Sequence, residues 1–158
     1  MPFASPYIDN IIFASDSWEQ HENHLAMILN RLIQKNLKLK PNSVNVGHSQ
    51  IKVLGRVISS FGMSIDEQKR QDVLDWPRPV DGANLSALLG FTCFLHDHIR
   101  NYAEITAPLQ KLKMNKTVIQ WTPQLLTHLE LLKQAVANAP WLKHPDFDKE
   151  FFIAMHQM

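Results

Sequence analysis

The apolar and polar positions of this chain alternate with two different periods, and the change of period divides it. Tyr7 to Ala14 carries two β-prone apolar stretches on either side of Asp9-Asn10, a pair that tolerates left-handed backbone. That pattern predicts a β-hairpin with Asp9-Asn10 as a two-residue turn. Apolar residues then recur at Trp18, Leu25, Ile28, Leu29, Leu32 and Ile33. This is helical spacing, with Ser15 or Ser17 as N-cap, Glu19 in the first turn and an end near Asn36. Leu37 to Lys40 alternates with period two and reads as a strand, as do Val44 to Val46 and Ile51 to Ile58, the last two joined by Gly47-His48-Ser49. After Gly62 the pattern reads as helical throughout. Asp66 caps a short helix to Trp76, which Pro77 and Pro79 stop. Asp81 caps a second, with Leu85, Leu88, Leu89 and Phe91 on its apolar side. A third runs from Tyr102 to Leu112, kinked or divided at Pro108. Thr122-Pro123 starts a fourth, which carries Leu125, Leu126, Leu129, Leu132 and Val136 to Asn138. Phe151 to Ala154 reads as a last short strand.

Composition narrows the class further. Sixteen Lys+Arg stand against fifteen Asp+Glu, a formal charge of +1, so binding nucleic acid by charge excess alone is excluded. Hydrophobic residues at 45% and charged residues at 20% describe a globular chain rather than a disordered one. The single Cys93 rules out an internal disulfide and a cysteine-based zinc site, and its neighbours Phe91, Phe94 and Leu95 place it in packing. No apolar run approaches the roughly 18 residues of a membrane span, and Met-Pro-Phe-Ala is not the start of a secretion signal. The expectation is an intracellular chain, cytoplasmic or nuclear, that is neither secreted nor bound to a membrane.

A series of short motifs runs in one order along the chain. Tyr7-Ile8-Asp9-Asn10-Ile11 is followed by Trp18-Glu19-x-His21-x-x-His24-Leu25, Asn36-Leu37-Lys38-Leu39 and Leu54-Gly55-x-Val57-Ile58-Ser59 with Gly62. Then come Trp76-Pro77-Arg78-Pro79, Leu88-Leu89-Gly90, Tyr102-Ala103-Glu104-Ile105-x-Ala107-Pro108-Leu109, Trp121-Thr122 and Ala139-Pro140-x-Leu142-x-His144-Pro145-Asp146-Phe147. Together they resemble the reverse transcriptase of gypsy-type long-terminal-repeat retrotransposons. The resemblance implies an α+β fold. Residues 1–62 would be the C-terminal half of a polymerase palm (a hairpin, a helix and antiparallel strands). Residues 63–138 would be a helical thumb, and 139–158 the start of a ribonuclease H domain with one orphan strand. It also implies magnesium as cofactor and an RNA/DNA template–primer duplex as partner.

The residues carry that chemistry incompletely. Nucleotidyl transfer uses two magnesium ions, and magnesium demands hard oxygen ligands. In the Tyr-x-Asp-Asp signature that the hairpin resembles, two adjacent carboxylates supply part of the set. Here Asp9 matches the first and Asn10, a neutral amide, replaces the second. The ribonuclease H aspartate maps to His156, a poor magnesium ligand. In the thumb, two basic positions are His96 and Asp97. Arg70 and Asp72 stand where small or apolar residues are usual, which puts charge near a core face.

Trp76, Arg78, Gly90, Arg100, Lys111 and Lys113 are the candidate duplex contacts, and simple solvation explains the basic loop of Lys111 and Lys113 equally well. Lys116 extends that basic loop, and Arg31, Lys35, Lys38 and Lys40 form a second cationic tract equally explained by an exposed face. His21 and His24, one helical turn apart, fit a transition-metal pair by spacing alone. The family motif covers both, so packing or surface hydrogen bonding is the reading taken. His96 and His98 are read as a solvated pair. The tryptophans mark helix ends and read as structural.

The leading expectation is a remnant of a retrotransposon RNA-directed DNA polymerase/ribonuclease H polyprotein, catalytically inactive as this chain. The alternative is a non-catalytic module, domesticated from a retrotransposon, that binds a nucleic-acid duplex or another protein. Self-association through exposed palm surface is a further expectation.

Overall fold

The computed structural model describes residues 1–114 and 118–152, which form two compact units that divide between residues 49 and 50. In the first unit, β1 (Ala4–Tyr7) and β2 (Asn10–Phe13) pair antiparallel, from Ala4↔Phe13 at the open end to Tyr7↔Asn10 at the closed end. The turn is therefore Ile8-Asp9, one residue earlier than the Asp9-Asn10 reading, and Asn10 is the first residue of β2. Ile8 has φ 53 and is 91% exposed. A β-branched residue in the left-handed region is strained, and that strain sits beside Asp9.

The next element, α1 (Trp18–Gln34), is capped by Ser17, whose hydroxyl accepts from the Gln20 amide at 3.2 Å. Asn36 at φ 53 ends it, and the Leu37 amide donates back to the Leu32 carbonyl at 2.9 Å. The strands expected at Leu37 to Lys40 and Val44 to Val46 do not form; a 3₁₀ turn, Pro41–Ser43, lies between them. Alternation sets which face a side chain takes, but a strand also needs a hydrogen-bonding neighbour, and these segments have none among the described residues.

In the second unit, β3 (Gln50–Val53), β4 (Arg56–Ser59) and β5 (Gly62–Ile65) form an antiparallel meander. The run from Ile51 to Ile58, read as one strand, breaks at Leu54-Gly55, where φ is 52 and 74. Positive φ at both central residues is what a two-residue type I′ hairpin requires. β5 lies where a helical pattern was expected. Gly62, at φ 142, lets the chain after the last helix come alongside, since a Cβ there would collide with the Leu142 carbonyl. Met63 and Leu142 exchange amide–carbonyl hydrogen bonds at 2.8 Å each.

Among the described residues, four α-helices come after the sheet: α2 (Glu67–Leu74), α3 (Gly82–Cys93), α4 (Tyr102–Gln110) and α5 (Pro123–Ala137). Asp66, Asp81 and Thr122 cap α2, α3 and α5 as the sequence predicts, accepting from the amides of Gln68, Asn84 and Leu125. α4 continues through Pro108 without division. Val73, Leu85, Leu89, Leu109, Leu132 and Val136 form the centre of one buried cluster. Phe151 and Phe152 are exposed and in no strand, so the predicted terminal strand is absent from the described residues. Its remainder, with His156, lies outside them.

Two long cations tie α2 to α5. The Arg70 guanidinium donates to the carbonyls of Val136, Ala137 and Ala139 at 3.0, 2.9 and 2.8 Å and to Ser64 Oγ at 3.0 Å. Lys133 Nζ donates to the carbonyls of Leu74 and Trp76 at 2.9 and 2.6 Å. Each helix thus supplies the cation that satisfies the unpaired carbonyls at the other's C-terminal end. Arg70→Met, which keeps the apolar stem, is expected to destabilise the chain by about 2–4 kcal/mol, because it leaves several half-buried acceptors without a donor. Lys133→Met should lower stability by about 1–2 kcal/mol. Urea unfolding checks both.

Candidate nucleic-acid interface and carboxylate turn

Asp9 is exposed at the hairpin turn, and its Oδ1 accepts a hydrogen bond from Asn10 Nδ2 at 3.3 Å. The donor set there is one carboxylate and one amide oxygen. Among the described residues, no group of three or more His, Cys, Asp and Glu side chains is placed to hold a metal ion. These residues do not fit a two-magnesium centre, which needs several anionic oxygens to offset two divalent charges. Asn10 already uses its amide proton to neutralise the approach to Asp9.

The second unit carries an open cleft of about 640 Å³ where the Trp76-Pro77-Arg78-Pro79 segment meets α3. Trp76 and Arg78, two of the sequence-predicted contacts, line it, together with Asp72, Asp75, Asn84, Ala87 and Phe91. The Trp76 and Phe91 rings meet at 5.5 Å, and Lys69 Nζ lies 4.8 Å from the centre of the Phe91 ring. Trp121 holds the proline segment in place, its indole N–H donating to the Pro79 carbonyl at 2.9 Å.

Arg78 is exposed and makes no ion pair among the described residues. Asp72 and Asp75 accept hydrogen bonds from Gln68 and Gln71 at 3.0 and 2.9 Å. Lys69 Nζ lies 3.9 Å from Asp72 Oδ2, so Arg78 and Lys69 balance the two carboxylates, and shape and aromatic surface, rather than net charge, dominate this cleft.

Gly90 lies one turn beyond Ala87 on α3. It is exposed, and a Cβ there would meet nothing within 4 Å. Ala83, Asn84, Ala87, Gly90 and Cys93 are all exposed, so this side of α3 is shallow and uncharged. Cys93 was expected in the core; the Asp81 cap sets the helix phase that turns it outward with Gly90. The same phase puts Asn84, Ala87 and Phe91 at the cleft, residues that motifs read one by one do not reveal. Arg100 and Lys111 are exposed and Lys113 is half-buried; none of the three lines the cleft. Lys116 lies outside the described residues.

No protein-family model matches the chain. Curated relatives are transposon polyproteins of Schizosaccharomyces pombe. The Transposon Tf2-7 polyprotein is 30% identical over 147 residues, covering 93% of this chain and 11% of the polyprotein. The Tf2-3 polyprotein is 29% identical over the same extent. The chain thus spans about a tenth of the length of the relatives it matches. Among solved structures, a foamy viral protease-reverse transcriptase in complex with double-stranded DNA matches with TM-score 0.86 and 22% identity, over 92% of this chain and 26% of that one. A second such complex gives 0.84 over 93% and 31%. The chain is thus similar to a segment of the Tf2 polyproteins and shares the fold of the foamy viral protease-reverse transcriptase, in agreement with the motif series.

The positions that depart from the motif expected of a thumb have structural partners. Asp97 Oδ2 lies 3.4 Å from Arg56 Nη2, which also donates to the Phe94 carbonyl at 3.2 Å. His96 is exposed, but His98, expected in solvent, is 2% exposed. Its Nδ1–H donates to the Pro140 carbonyl at 3.4 Å, and its Nε2 is buried with no partner.

Burial holds the His98 imidazole below its ordinary value near 6.5. The Pro140 bond and Asp97 oppose this, while Arg56 and Arg70 add to it. The unfolded chain therefore binds the proton first. Stability from this group is complete above about pH 6.5 and is lost as pH falls toward the folded value. Urea midpoints should fall between about pH 7.5 and 5, and His98→Phe should shrink that difference.

Proposed function

We propose that this chain is the palm-to-thumb portion of a gypsy-type retrotransposon RNA-directed DNA polymerase/ribonuclease H polyprotein, and that its α3 face tracks a nucleic-acid duplex. The observation that carries the reading is the collinear relationship to transposon polyproteins over 147 residues. The related fold is found in reverse transcriptases solved with double-stranded DNA and with RNA/DNA hybrid. A hybrid's A-like minor groove is wide and shallow. A helix face of Ala87, Gly90 and their small neighbours can approach such a groove closely. Arg78, Arg100, Lys111 and Lys113 then meet phosphates at its edges, where contact fixes position without reading sequence. Work on nucleic acid is consistent with the cytoplasm or nucleus. No helix among the described residues is long and apolar enough to cross a membrane.

Magnesium in this family supplies activation of the attacking hydroxyl and stabilises the leaving phosphate. Asp9 offers one ligand toward that chemistry and Asn10 no charge, so this chain by itself binds without polymerising. A second reading, docking to another protein or to its own copy, draws on the apolar surface of the first unit, where Ile8 is 91% and Ile33 74% exposed. Light scattering separates the two.

A fluorescence assay with an RNA/DNA hybrid should show binding at about 50 mM salt that weakens steeply by about 200 mM. Primer extension with magnesium or manganese should give no template-dependent product. Gly90→Ala should bind as the parent does and gain roughly 0.5–1 kcal/mol of stability, since alanine favours the helix and meets open space. Gly90→Trp should cut affinity about ten-fold or more with the unfolding midpoint unchanged. Equal binding by Gly90→Trp would remove α3 as the contact surface, and extension product would overturn the catalytic part.

A further inference from the structure

Both ends of the hairpin that carries Asp9 rest on two histidines of α1. Phe3 immediately precedes β1, and its ring stacks on His24 with centroids 3.6 Å apart and planes 1° apart. Phe13, the last residue of β2, stacks on His21 at 4.7 Å and 18°. Ser15, two residues further on, places its Oγ 2.8 Å from His24 Nδ1 and 3.3 Å from His21 Nδ1. The backbone N–H of Gly47 reaches His21 Nε2 at 3.3 Å. That approach needs glycine: φ is 70, and a Cβ would come within 2.8 Å of the Trp18 ring, which itself stacks on His21 at 5.7 Å.

Donor and acceptor rules give this chain of atoms one direction. The Gly47 amide can only donate, so His21 Nε2 accepts, and a neutral His21 carries its proton on Nδ1. That Nδ1–H donates to Ser15 Oγ. The hydroxyl's own proton goes to His24 Nδ1, which leaves the His24 proton on Nε2, and each of the three contacts then has one donor and one acceptor. We propose that His21 and His24 are positioning residues for the Asp9 turn, clamping the hairpin base to α1 only while the His21 imidazole is neutral.

Protonating His21 puts an N–H against the Gly47 N–H, a donor facing a donor. Protonating His24 makes its Nδ1 a donor toward Ser15, whose oxygen has a second lone pair to accept it, so that contact persists with its direction reversed. The His21 clash is therefore the gate, because the Gly47 amide cannot turn without moving its loop. The surrounding charged and titratable groups are Glu19 and Glu22 on α1, Asp16 at its start, Asp9 at the far end of the hairpin and His48 beside Gly47. None pairs with either ring among the described residues, so no counter-ion compensates the added charge.

This inference is independent of duplex binding, and its test needs no activity. In the full chain at about pH 8, nitrogen–proton correlation spectra of the imidazole rings should show His21 as the Nδ1–H tautomer, the minority form of a free imidazole, and His24 as Nε2–H. Hydrogen exchange at the amides of residues 4–13, corrected for intrinsic rate, should speed up about ten-fold or more between about pH 8 and 5, while β3 to β5 keep their protection. His21→Phe, which keeps the stacking but cannot titrate, should lose most of that pH step; Ser15→Ala should start with weaker protection at pH 8. An Nε2–H His21 at pH 8, or hairpin protection that does not change with pH in the parent chain, would overturn the proposal.

Discussion

The second unit depends on an exchange of cations between two helices. Residue 70 of α2 faces residues 136 to 139, and residue 133 of α5 faces residues 74 and 76, so the two helices run in opposite senses. A helix C-terminus leaves carbonyls unpaired and carries partial negative charge. Placing each end beside a cation from the other helix resolves both problems at once and fixes the helices' mutual register. The same exchange places the segment after α5. With Ala139 held by Arg70, Pro140 meets His98, Leu142 pairs with Met63, and the His144 Nε2–H donates to the Ser59 carbonyl at 2.8 Å. That segment is laced to the sheet residue by residue from one anchor.

Arg70 also shows where reading charge from sequence alone goes astray. A cation at a position usually small or apolar looks like a fault in a helix with a core face. Its guanidinium crosses α2 to a set of acceptors some 66 residues away, and nothing local announces those acceptors. Asp97 is similar, since its partner Arg56 lies on β4. Substitutions that look like relaxed constraint along the sequence are matched pairs in space.

The legible parts of the fold were those determined within one turn of the chain. Ser17, Asp66, Asp81 and Thr122 cap their helices because capping needs only a side-chain oxygen and an amide two or three residues on. The illegible parts were turns built from unlikely residues. Leu54 at φ 52 and Ile8 at φ 53 are apolar residues in a left-handed conformation; Leu54 hid a reversal inside strand-like sequence, and Ile8 moved the expected Asp9-Asn10 turn one residue earlier. The site divides the same way. Trp76 and Arg78 belong to a recognisable motif, and helix phase brings Ala87 and Gly90 onto the neighbouring face. The clamp of Ser15, His21, His24 and Gly47 joins residues up to 26 apart through a backbone amide, which no spacing rule describes.

The hairpin turn itself combines strain retained with repulsion removed. Ile8 holds a backbone conformation that costs of order 1–3 kcal/mol, and it does so beside the residue that matches a metal ligand. In a Tyr-x-Asp-Asp turn, two adjacent carboxylates repel one another until cations lie against them. Here Asn10 replaces that repulsion with an N–H···O contact to Asp9. The turn therefore needs no divalent ion to relieve its own charge. Shape and ligand set have separated in this hairpin: α1, through the histidine clamp, holds its base, while the chemistry at its tip is reduced to one carboxylate.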